Sequence, residues 1–277
     1  AASLISASDD DDTKARLLPQ IASGEKIATA ALTGEKGSWL PADVSVQAEN
    51  AGESWELSGT ASFVTFANVA DILLVAATTP DGLKCFEIET GAAGMVIEPL
   101  ETWDPSLRLS RISFSGAKAA ILKGVGPDAF DQALDVARVA LAGEQAGAAR
   151  RIFDITVEYI MSRVQFGRPV GGFQAIKHMA ADLLIEVESA TSAARAAARA
   201  LADDAPDKKV LINLAAFACA DAFSEVAATS IQMHGGIAFT WEHVAHLYLR
   251  RARANAQLFG SSDHYREQYV AALEIAA

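Results

Sequence analysis

The chain has 277 residues, of which 51% are hydrophobic and 21% are charged, and its net charge is −12. This length and composition predict a well-packed globular protein of about two domains. The acidic balance argues against a nucleic-acid partner, because phosphate binding needs a basic face.

The cysteines, the apolar runs and the first residues predict the compartment. Cys85 and Cys219 are each flanked by apolar residues, so we expect buried free thiols rather than a disulfide. No apolar run reaches the roughly 18 residues of a membrane span. The start of the chain lacks the basic and apolar regions of a signal peptide. We therefore expect a cytoplasmic protein without a membrane span.

The first 25 residues predict a short helix, and a region of strands follows. An acidic run at 9–12 precedes the predicted helix at 13–18, where the helix dipole stabilises negative charge, so a metal site is disfavoured. Asp81-Gly82 is a hairpin signal. Several short strands with turn residues between them indicate an antiparallel β-sandwich or barrel. We predict strands at 27–33, 44–48, 55–58, 72–76, 84–88, 95–97 and 108–114.

The remainder of the chain is predicted to be helical. Apolar residues recur at helical spacing, and Gly235-Gly236 ends the third of these helices. Long antiparallel helices form a four-helix bundle, so the overall fold class is α+β. We predict helices at 129–166, 173–202, 208–234, 241–259 and 263–275.

Two segments carry residues that suit an anionic ligand. The first runs from Arg163 to Gln174 within the predicted helical stretch, and the second is Gln232-Met-His-Gly-Gly236. The guanidinium groups of Arg163 and Arg168 match phosphate oxygens. Consecutive glycines let a backbone approach a ligand and direct N–H groups at an anion. The two segments together indicate a cofactor with a pyrophosphate group held between helices.

These segments resemble the R-x-x-F-G-x-x-x-x-x-F-Q and Q-x-x-G-G motifs of the acyl-CoA dehydrogenase family, which hold the ADP half of FAD. The resemblance implies FAD as cofactor, an acyl-CoA substrate and an electron-transfer flavoprotein or similar acceptor. It also implies a cofactor shared between subunits, and hence a homo- or hetero-oligomer such as a dimer of dimers. The implied FAD contacts in these segments are Arg163, Phe166, Gln174, Gln232, Gly235 and Gly236.

The strand-rich region resembles the family in two places. The segment 32–39 fits an ordinary loop when taken alone, but it also resembles the T-E-P-x-x-G-S-D loop that contacts the flavin and the acyl-CoA. It is one residue shorter, and Trp39 stands in place of the acid; Thr33 and Ser38 are the implied contacts. The segment 59–65 resembles the family strand that lies against the flavin, which implies that Phe63 shields the ring and Thr65 hydrogen-bonds it.

The family's catalytic carboxylate is missing from both of its usual places. Removal of an α-proton requires a base at the α-carbon. Most members supply a Glu from a segment where this chain has Phe259, and a minority supply it from an L-x-x-E-R pattern where this chain has Ala137. Asp135 is a weaker candidate, since two residues along a helix rotate a side chain by about 200°. Asp263 is another.

Histidines and arginines cluster after the second segment. His234, His243 and His246 surround Trp241, but no cysteine or suitably placed acid accompanies them, so we expect structural or interface histidines and no metal site. The run from Gly235 to 252 resembles actinobacterial members, including those that act on steroid side chains. For Arg250, Arg251 and Arg253 we expect intersubunit or structural pairs.

The resemblance implies three domains and leaves three functions open. The domains are the end of an N-terminal helical domain at 1–25, a middle β-domain at 26–120 and a helical bundle at 121–277. The sequence leaves open whether the rest of the helical domain precedes the given residues, is cleaved, is absent or is supplied by another polypeptide. The first function is a base-lacking subunit of a heteromeric acyl-CoA dehydrogenase. The alternatives are a self-sufficient homotetramer with a displaced acid and a non-catalytic structural protein on the same fold.

Overall fold

The computed structural model describes residues 1–52 and 54–276, without the side chains of 274–276. The chain forms two compact units, Ala1–Leu134 and Asp135–Ala277, which we call the N-terminal and the C-terminal unit. The fold is of the predicted α+β class, with one large sheet and several long helices. The division into three domains stays a prediction.

The N-terminal unit begins with two helices, α1 (Ala2–Ser6) and α2 (Asp11–Ser23). The Asp10 carboxylate accepts a hydrogen bond from the Thr13 backbone N–H at 3.0 Å, which caps α2 as the acidic run predicts. The helix ends at Gly24, whose φ of 77° lies in the left-handed region. Helix α2 is therefore longer than the predicted 13–18.

Seven strands form one sheet in this unit. Pairing of β4 with both β2 and β5 closes the path β4-β2-β3-β7-β5 into a barrel. The sheet is mixed, since β4 runs parallel to β1 and to β2, and this corrects the purely antiparallel prediction. The strands are β1 (Ala28–Ala31), β2 (Gln47–Asn50), β3 (Trp55–Thr65), β4 (Ile72–Thr79), β5 (Gly82–Glu89), β6 (Met95–Leu100) and β7 (Leu109–Ile121).

The predicted hairpin and most predicted strands are confirmed, with one shift. Strands β4 and β5 pair in antiparallel register with Thr79 opposite Gly82. The predicted strand at 44–48 is wrong in its first half, because a 3₁₀ helix at Pro41–Asp43 delays β2 until Gln47. Fully buried side chains such as Leu57, Phe86 and Ile112 form the core of the barrel.

Five α-helices follow in the residues that the structure describes, up to 276. Their bounds are α3 (Pro127–Ser162), α4 (Gln174–Ala202), α5 (Lys208–His234), α6 (Ala245–Asn255) and α7 (Ser262–Ala276). Helix α5 begins and ends as predicted, whereas α3 ends before 166 and α6 begins after 241. Within the C-terminal unit α5 packs against α4, α6 and α7.

Small side chains line the packed faces of α3, α4 and α5. Ala146, Ala190 and Ala215 are buried where these helices meet, and such residues let helices approach closely. Cys219 lies in the same cluster and its thiol is 3.4 Å from the Ala190 carbonyl oxygen. Burial raises the pKa of the Cys219 thiol to about 12 and that of Cys85 to about 12. Both are free and buried, as predicted.

One stretch of the described residues, Lys208–Phe239, is long and apolar enough to cross a membrane by length and composition alone. The most apolar window has a mean hydropathy of 1.6, and half of it is buried. The absence of a membrane span stays a prediction. Because α5 packs against three other helices, its composition also matches the central helix of a bundle.

Candidate cofactor site

The segment after α3 is a β-hairpin, which corrects the prediction that it lies in a helix. Strands β8 (Val164–Gln165) and β9 (Arg168–Pro169) pair in antiparallel register. The two turn residues, Phe166 and Gly167, have φ values of 53° and 77°, as a type I′ turn requires. A 3₁₀ helix at Val170–Gly172 then leads into α4.

Side chains on this hairpin are directed outward and make few internal contacts. The Phe166 side chain is 92% exposed, and its ring meets Phe173 edge-on at 6.3 Å between centroids. The guanidinium carbon of Arg168 lies 4.0 Å from the centre of the Phe173 ring. Among the described residues, no hydrogen bond or ion pair engages the Arg163 side chain. Unneutralised guanidinium groups on so acidic a chain suit an anionic ligand.

Gln174 opens α4 at the end of this segment. Its side-chain amide is exposed and lies 3.2 Å from His178 Nε2. Phe173 occupies the N-cap position and provides no side-chain hydrogen bond to the helix. The first N–H groups of α4 therefore lack a side-chain acceptor, which is the arrangement that favours an anion at a helix start.

The second predicted segment forms the end of α5 and the turn after it. Gly235 has a φ of 69°, and its N–H is bonded to the last carbonyls of the helix. Both Gly235 and Gly236 are exposed, and a Cβ at either would meet no atom within 4 Å. Gln232 is exposed on the last turn. The turn thus presents bare backbone to an open surface.

Tyr159, which the sequence analysis missed, joins the hairpin to this turn. Its hydroxyl donates to the His234 carbonyl oxygen at 3.2 Å, and its ring stacks on the His234 ring at 4.5 Å with an interplanar angle of 28°. The Tyr159 backbone carbonyl accepts the Arg163 N–H at 2.8 Å. A single tyrosine in a long helix is not a motif. Its position one helical turn before Arg163 is the signal that could have pointed to a role at this site.

The histidines form an aromatic cluster at the base of the turn. His234 is buried, and its Nδ1 lies 2.8 Å from the Ser230 carbonyl oxygen. The His243 ring centre is 4.4 Å from that of His234, and His246 packs against Trp241 at 4.6 Å. These contacts agree with the structural role predicted for the three residues. Burial lowers the pKa of His234 and that of His243 below their ordinary values.

In the N-terminal unit, two of the three predicted hydroxyl contacts are already occupied. Thr33 is buried and its hydroxyl donates to the Ser62 carbonyl oxygen. The Ser38 hydroxyl donates to Asp43 at 2.6 Å. A Cβ at Gly34 would overlap the Asp43 carbonyl oxygen, so the loop folds tightly against 41–45. Neither hydroxyl hydrogen is left for a ligand.

Phe63 and Thr65 differ from those two residues. The pairing of β3 with β7 shifts between Ala61 and Val64, and Phe63 in this bulge has a φ of 57° and is 42% exposed. Its ring covers Gly37, where any Cβ would overlap it. The Thr65 hydroxyl is half-buried and has no hydrogen-bond partner among the described residues. Both side chains are available to a ligand.

Phe259 and Ala137 stand where the family usually has its catalytic base. The polar groups around them hydrogen-bond to one another. Phe259 has a φ of 62°, and its carbonyl oxygen accepts the Tyr265 hydroxyl. The same hydroxyl lies 3.3 Å from Arg138 Nε, next to Ala137. Burial raises the pKa of Tyr265, so this hydroxyl stays protonated at neutral pH. The loop is therefore held by the Tyr265 side chain, which bonds to the Phe259 carbonyl oxygen.

Asp135 belongs to the same network. Its side chain is 3% exposed and forms ion pairs with Arg138 at 3.0 Å and Lys209 at 2.6 Å. A carboxylate with two cationic partners is a structural anchor rather than a free base. Asp263 is exposed and pairs with Arg266 at 3.1 Å.

A small cavity of about 10 Å³, enough for about one water molecule, adjoins this network. No carboxylate is among the described residues that line it. Its polar lining includes Arg138, Gln145, Asn255 and Tyr265. The cavity next to the two base positions therefore contains no displaced acid.

Two arginines of α6 make internal contacts. Arg251 Nε pairs with Glu144 at 2.7 Å, and the Arg250 guanidinium lies 5.2 Å from the centre of the Trp241 ring. Arg251 thus forms a structural pair, as predicted.

Comparison with known proteins agrees with these features. The family profile described as "Acyl-CoA dehydrogenase, C-terminal domain" matches residues 124–273. The chain is 36% identical to acyl-CoA dehydrogenase FadE34 of Mycobacterium tuberculosis, over 91% of this chain and 34% of that protein. It is 41% identical to acyl-CoA dehydrogenase IpdE2 of the same organism, over 72% of this chain and 56% of that protein. The ChsE4-ChsE5 complex from Mycobacterium tuberculosis superposes with a TM-score of 0.90 at 28% identity, over 99% of this chain and 73% of that one. The chain spans between about a third and about half of the length of the two curated relatives.

Proposed function

Because this chain belongs to the acyl-CoA dehydrogenase family, we propose that it takes part in the FAD-dependent α,β-dehydrogenation of an acyl-CoA thioester. The observation that carries the proposal is the pairing of the Arg163 hairpin with the Gly235-Gly236 turn through Tyr159. The proposal is supported by the Arg163 guanidinium without a partner among the described residues, the exposed Phe166 ring and the exposed glycine turn, all in the C-terminal unit.

The chemistry of these groups fits FAD. Arg163 and the uncapped start of α4 are suited to the pyrophosphate, and the exposed Phe166 ring is suited to the adenine. The glycine turn allows close approach of a ligand. We assign Arg163, Phe166, Gln174, Gln232, Gly235 and Gly236 to FAD binding. When bound, FAD supplies the acceptor for the two electrons removed from the substrate.

The N-terminal unit contributes a second set of residues. The resemblance assigns Phe63 and Thr65 to the flavin ring, and both side chains are free to contact a ligand. We assign Thr33 and Ser38 a role in shaping their loop, because their hydroxyl hydrogens are committed to Ser62 and Asp43.

We further propose that this chain is the base-lacking subunit of a heteromeric enzyme. Phe259 and Ala137 cannot accept a proton, and Asp135 is held by two cations. The α-proton must then be taken by a carboxylate of a partner subunit of the same family. A solved structure similar to this chain is a complex of two differently named proteins, ChsE4 and ChsE5, which supports the assembly.

The alternatives have less support. A self-sufficient homotetramer requires an available acid near the base positions, and the two candidates, Asp135 and Asp263, are both held in ion pairs. A non-catalytic role leaves the uncommitted Arg163 and the exposed Phe166 without a purpose. A steroid or fatty acyl substrate, an electron-transfer flavoprotein acceptor and a cytoplasmic location remain predictions.

The test is purification of this chain alone and together with the product of its neighbouring gene. We expect bound flavin and acyl-CoA oxidation only in the mixed complex, measured by visible absorption, native mass and turnover. Replacing the partner's catalytic Glu by Gln should abolish turnover and leave the flavin bound. A flavin-loaded homotetramer of this chain that oxidises acyl-CoA at an ordinary rate would overturn the proposal.

A further inference from the structure

Tyr159 contacts both segments assigned to the cofactor. Tyr159 lies one helical turn before Arg163, whose N–H makes the i→i−4 bond to the Tyr159 carbonyl oxygen, and the Tyr159 hydroxyl donates to the carbonyl oxygen just before Gly235. Its ring stacks on His234, which in turn packs against His243 at the start of α6. Three elements of the C-terminal unit therefore meet at these three rings.

The hydrogen bonds determine where each imidazole carries its proton. The Ser230 carbonyl can only accept, so His234 Nδ1 donates to it and Nε2 is the unprotonated nitrogen. That Nε2 is buried and has no hydrogen-bond partner in the described structure. His243 Nδ1 accepts the Ala245 N–H at 3.2 Å, so the His243 proton lies on Nε2.

A second proton on either ring would break this arrangement. On His234 it would create a buried N–H without an acceptor, and on His243 it would displace the hydrogen bond to α6. The nearby titratable or charged groups are Tyr159 on α3, Glu242 beside His243, and His246 and Arg250 on α6. No salt bridge joins an acid to any of the three histidines in the described part of the chain.

We propose that Tyr159, His234 and His243 are positioning residues for the cofactor, which hold the hairpin against the glycine turn while both imidazoles are neutral. This inference rests on the proposed FAD binding. Burial lowers the pKa of His234, and the nearby His243 adds to this effect against the opposing hydrogen bond to Ser230. Burial and the nearby His246 lower the pKa of His243. Lowered pKa values mean that the neutral stack contributes stability above about pH 6.5, which is lost as the pH falls.

The experiment measures flavin affinity of the mixed complex between pH 7.5 and pH 5.5, with circular dichroism to monitor folding. We expect affinity to fall by about 5-fold or more on acidification, because both rings must be neutral. His243→Asn keeps an acceptor for the Ala245 N–H and cannot titrate, so its flavin affinity should fall less on acidification than that of the wild type, with only the His234 contribution left. His264→Asn, a histidine outside the stack, should keep the wild-type pH dependence.

Tyr159→Phe removes the hydroxyl and keeps the ring, so it tests the hydrogen bond independently of the ring stack. It should weaken flavin binding by about 5-fold at pH 7.5 through loss of one hydrogen bond, with the pH dependence retained. Equal pH dependence in the wild type and in His243→Asn would overturn the inference. So would flavin loss that coincides with unfolding.

The stack can also be tested without flavin. In nuclear magnetic resonance spectra of the chain alone, the ring resonances of His234 and His243 should titrate below pH 6.5. Titration of both rings at the usual histidine pKa of about 6.5 would contradict the inference. A complex that binds no flavin at any pH would overturn the proposed function, and the resonance titration would still test the stack.

Discussion

The hairpin after α3 and the loop after α6 both follow helix ends in the C-terminal unit, and they use their polar groups in opposite ways. On the hairpin, Arg163 has no partner among the described residues and Phe166 is almost fully exposed. In the loop, the Phe259 carbonyl is bonded to Tyr265, which connects through Arg138 to Asp135. One segment keeps its groups available to a ligand, and the other satisfies them internally.

Under the proposed function, the first segment binds the cofactor and the second stands where the family usually has its base. A segment whose polar groups bond to one another contributes to folding stability. Mutations in such a segment should lower the free energy of unfolding. A segment with free polar groups contributes little to stability, and its mutations should act on ligand affinity. The comparison therefore predicts two separable classes of variant.

Asp135→Asn should give the largest effect, and that effect should be on stability. Removing the charge leaves Arg138 and Lys209 beside a neutral amide, at a cost of about 2 to 3 kcal/mol after allowance for the partial exposure of Lys209. Chemical denaturation measures the loss.

The exposed Asp263→Asn is the matched control and should change stability little. Flavin binding to the mixed complex should be unaffected by either substitution. Loss of turnover at unchanged stability in Asp135→Asn would instead identify Asp135 as a base and remove the distinction between the two segments.

Arg163→Ala should act on ligand affinity alone. Loss of a charge-assisted hydrogen bond to a pyrophosphate costs about 2 kcal/mol, or roughly 30-fold in flavin dissociation constant. The melting temperature of the flavin-free protein should not change.

Arg195→Ala is the control, since this exposed arginine lies 21 residues beyond Gln174, or roughly 30 Å along α4. It should bind flavin like the wild type. Equal flavin loss in both variants would point to a general charge effect.

Tyr265→Phe should destabilise the fold by about 1 to 2 kcal/mol, because the Phe259 carbonyl and Arg138 both lose a partner. Flavin affinity should stay the same. Tyr269→Phe removes a hydroxyl that has no partner in the described residues and should be nearly silent in the same denaturation experiment.

Phe166→Ala should show the smallest effect. The exposed ring contributes little to folding, so stability should stay within about 0.5 kcal/mol. Flavin affinity should fall by about 5-fold if the ring packs on the adenine. Val96→Ala, at another exposed apolar position, should change neither quantity.

The helices and the β4–β5 hairpin could be predicted from the sequence because the patterns that indicate them lie within short stretches of the chain. The bounds of α5 follow from helical spacing of apolar residues and the glycine at 235, and the β4–β5 hairpin follows from Asp81-Gly82. The parallel pairing of β4 with β1 and β2 could not be predicted from the sequence. These strands are far apart in the chain, and no local pattern specifies their register.

The candidate site was predicted by residue type better than by conformation. The motif at 163–174 was placed in a helix because only Phe166-Gly167 indicates the turn, and phenylalanine at positive φ is rare. Tyr159 was missed because its contact with His234 joins two helices that are far apart in the chain, and no pattern within α3 shows such a contact. The closed network around Asp135 joins residues from three helices, which spacing within any one helix cannot show.

Gly37 and Phe63 form a pair whose evolution should be linked. The Phe63 ring occupies the space that any side chain at 37 would need, and Gly37 itself has a φ of 82°. A relative with a larger residue at the position of Gly37 must therefore carry a smaller one at that of Phe63, or reshape the bulge. Aligned relatives should show these two positions changing together, and the size of the residue at 37 would then indicate which relatives retain an aromatic cover on this face.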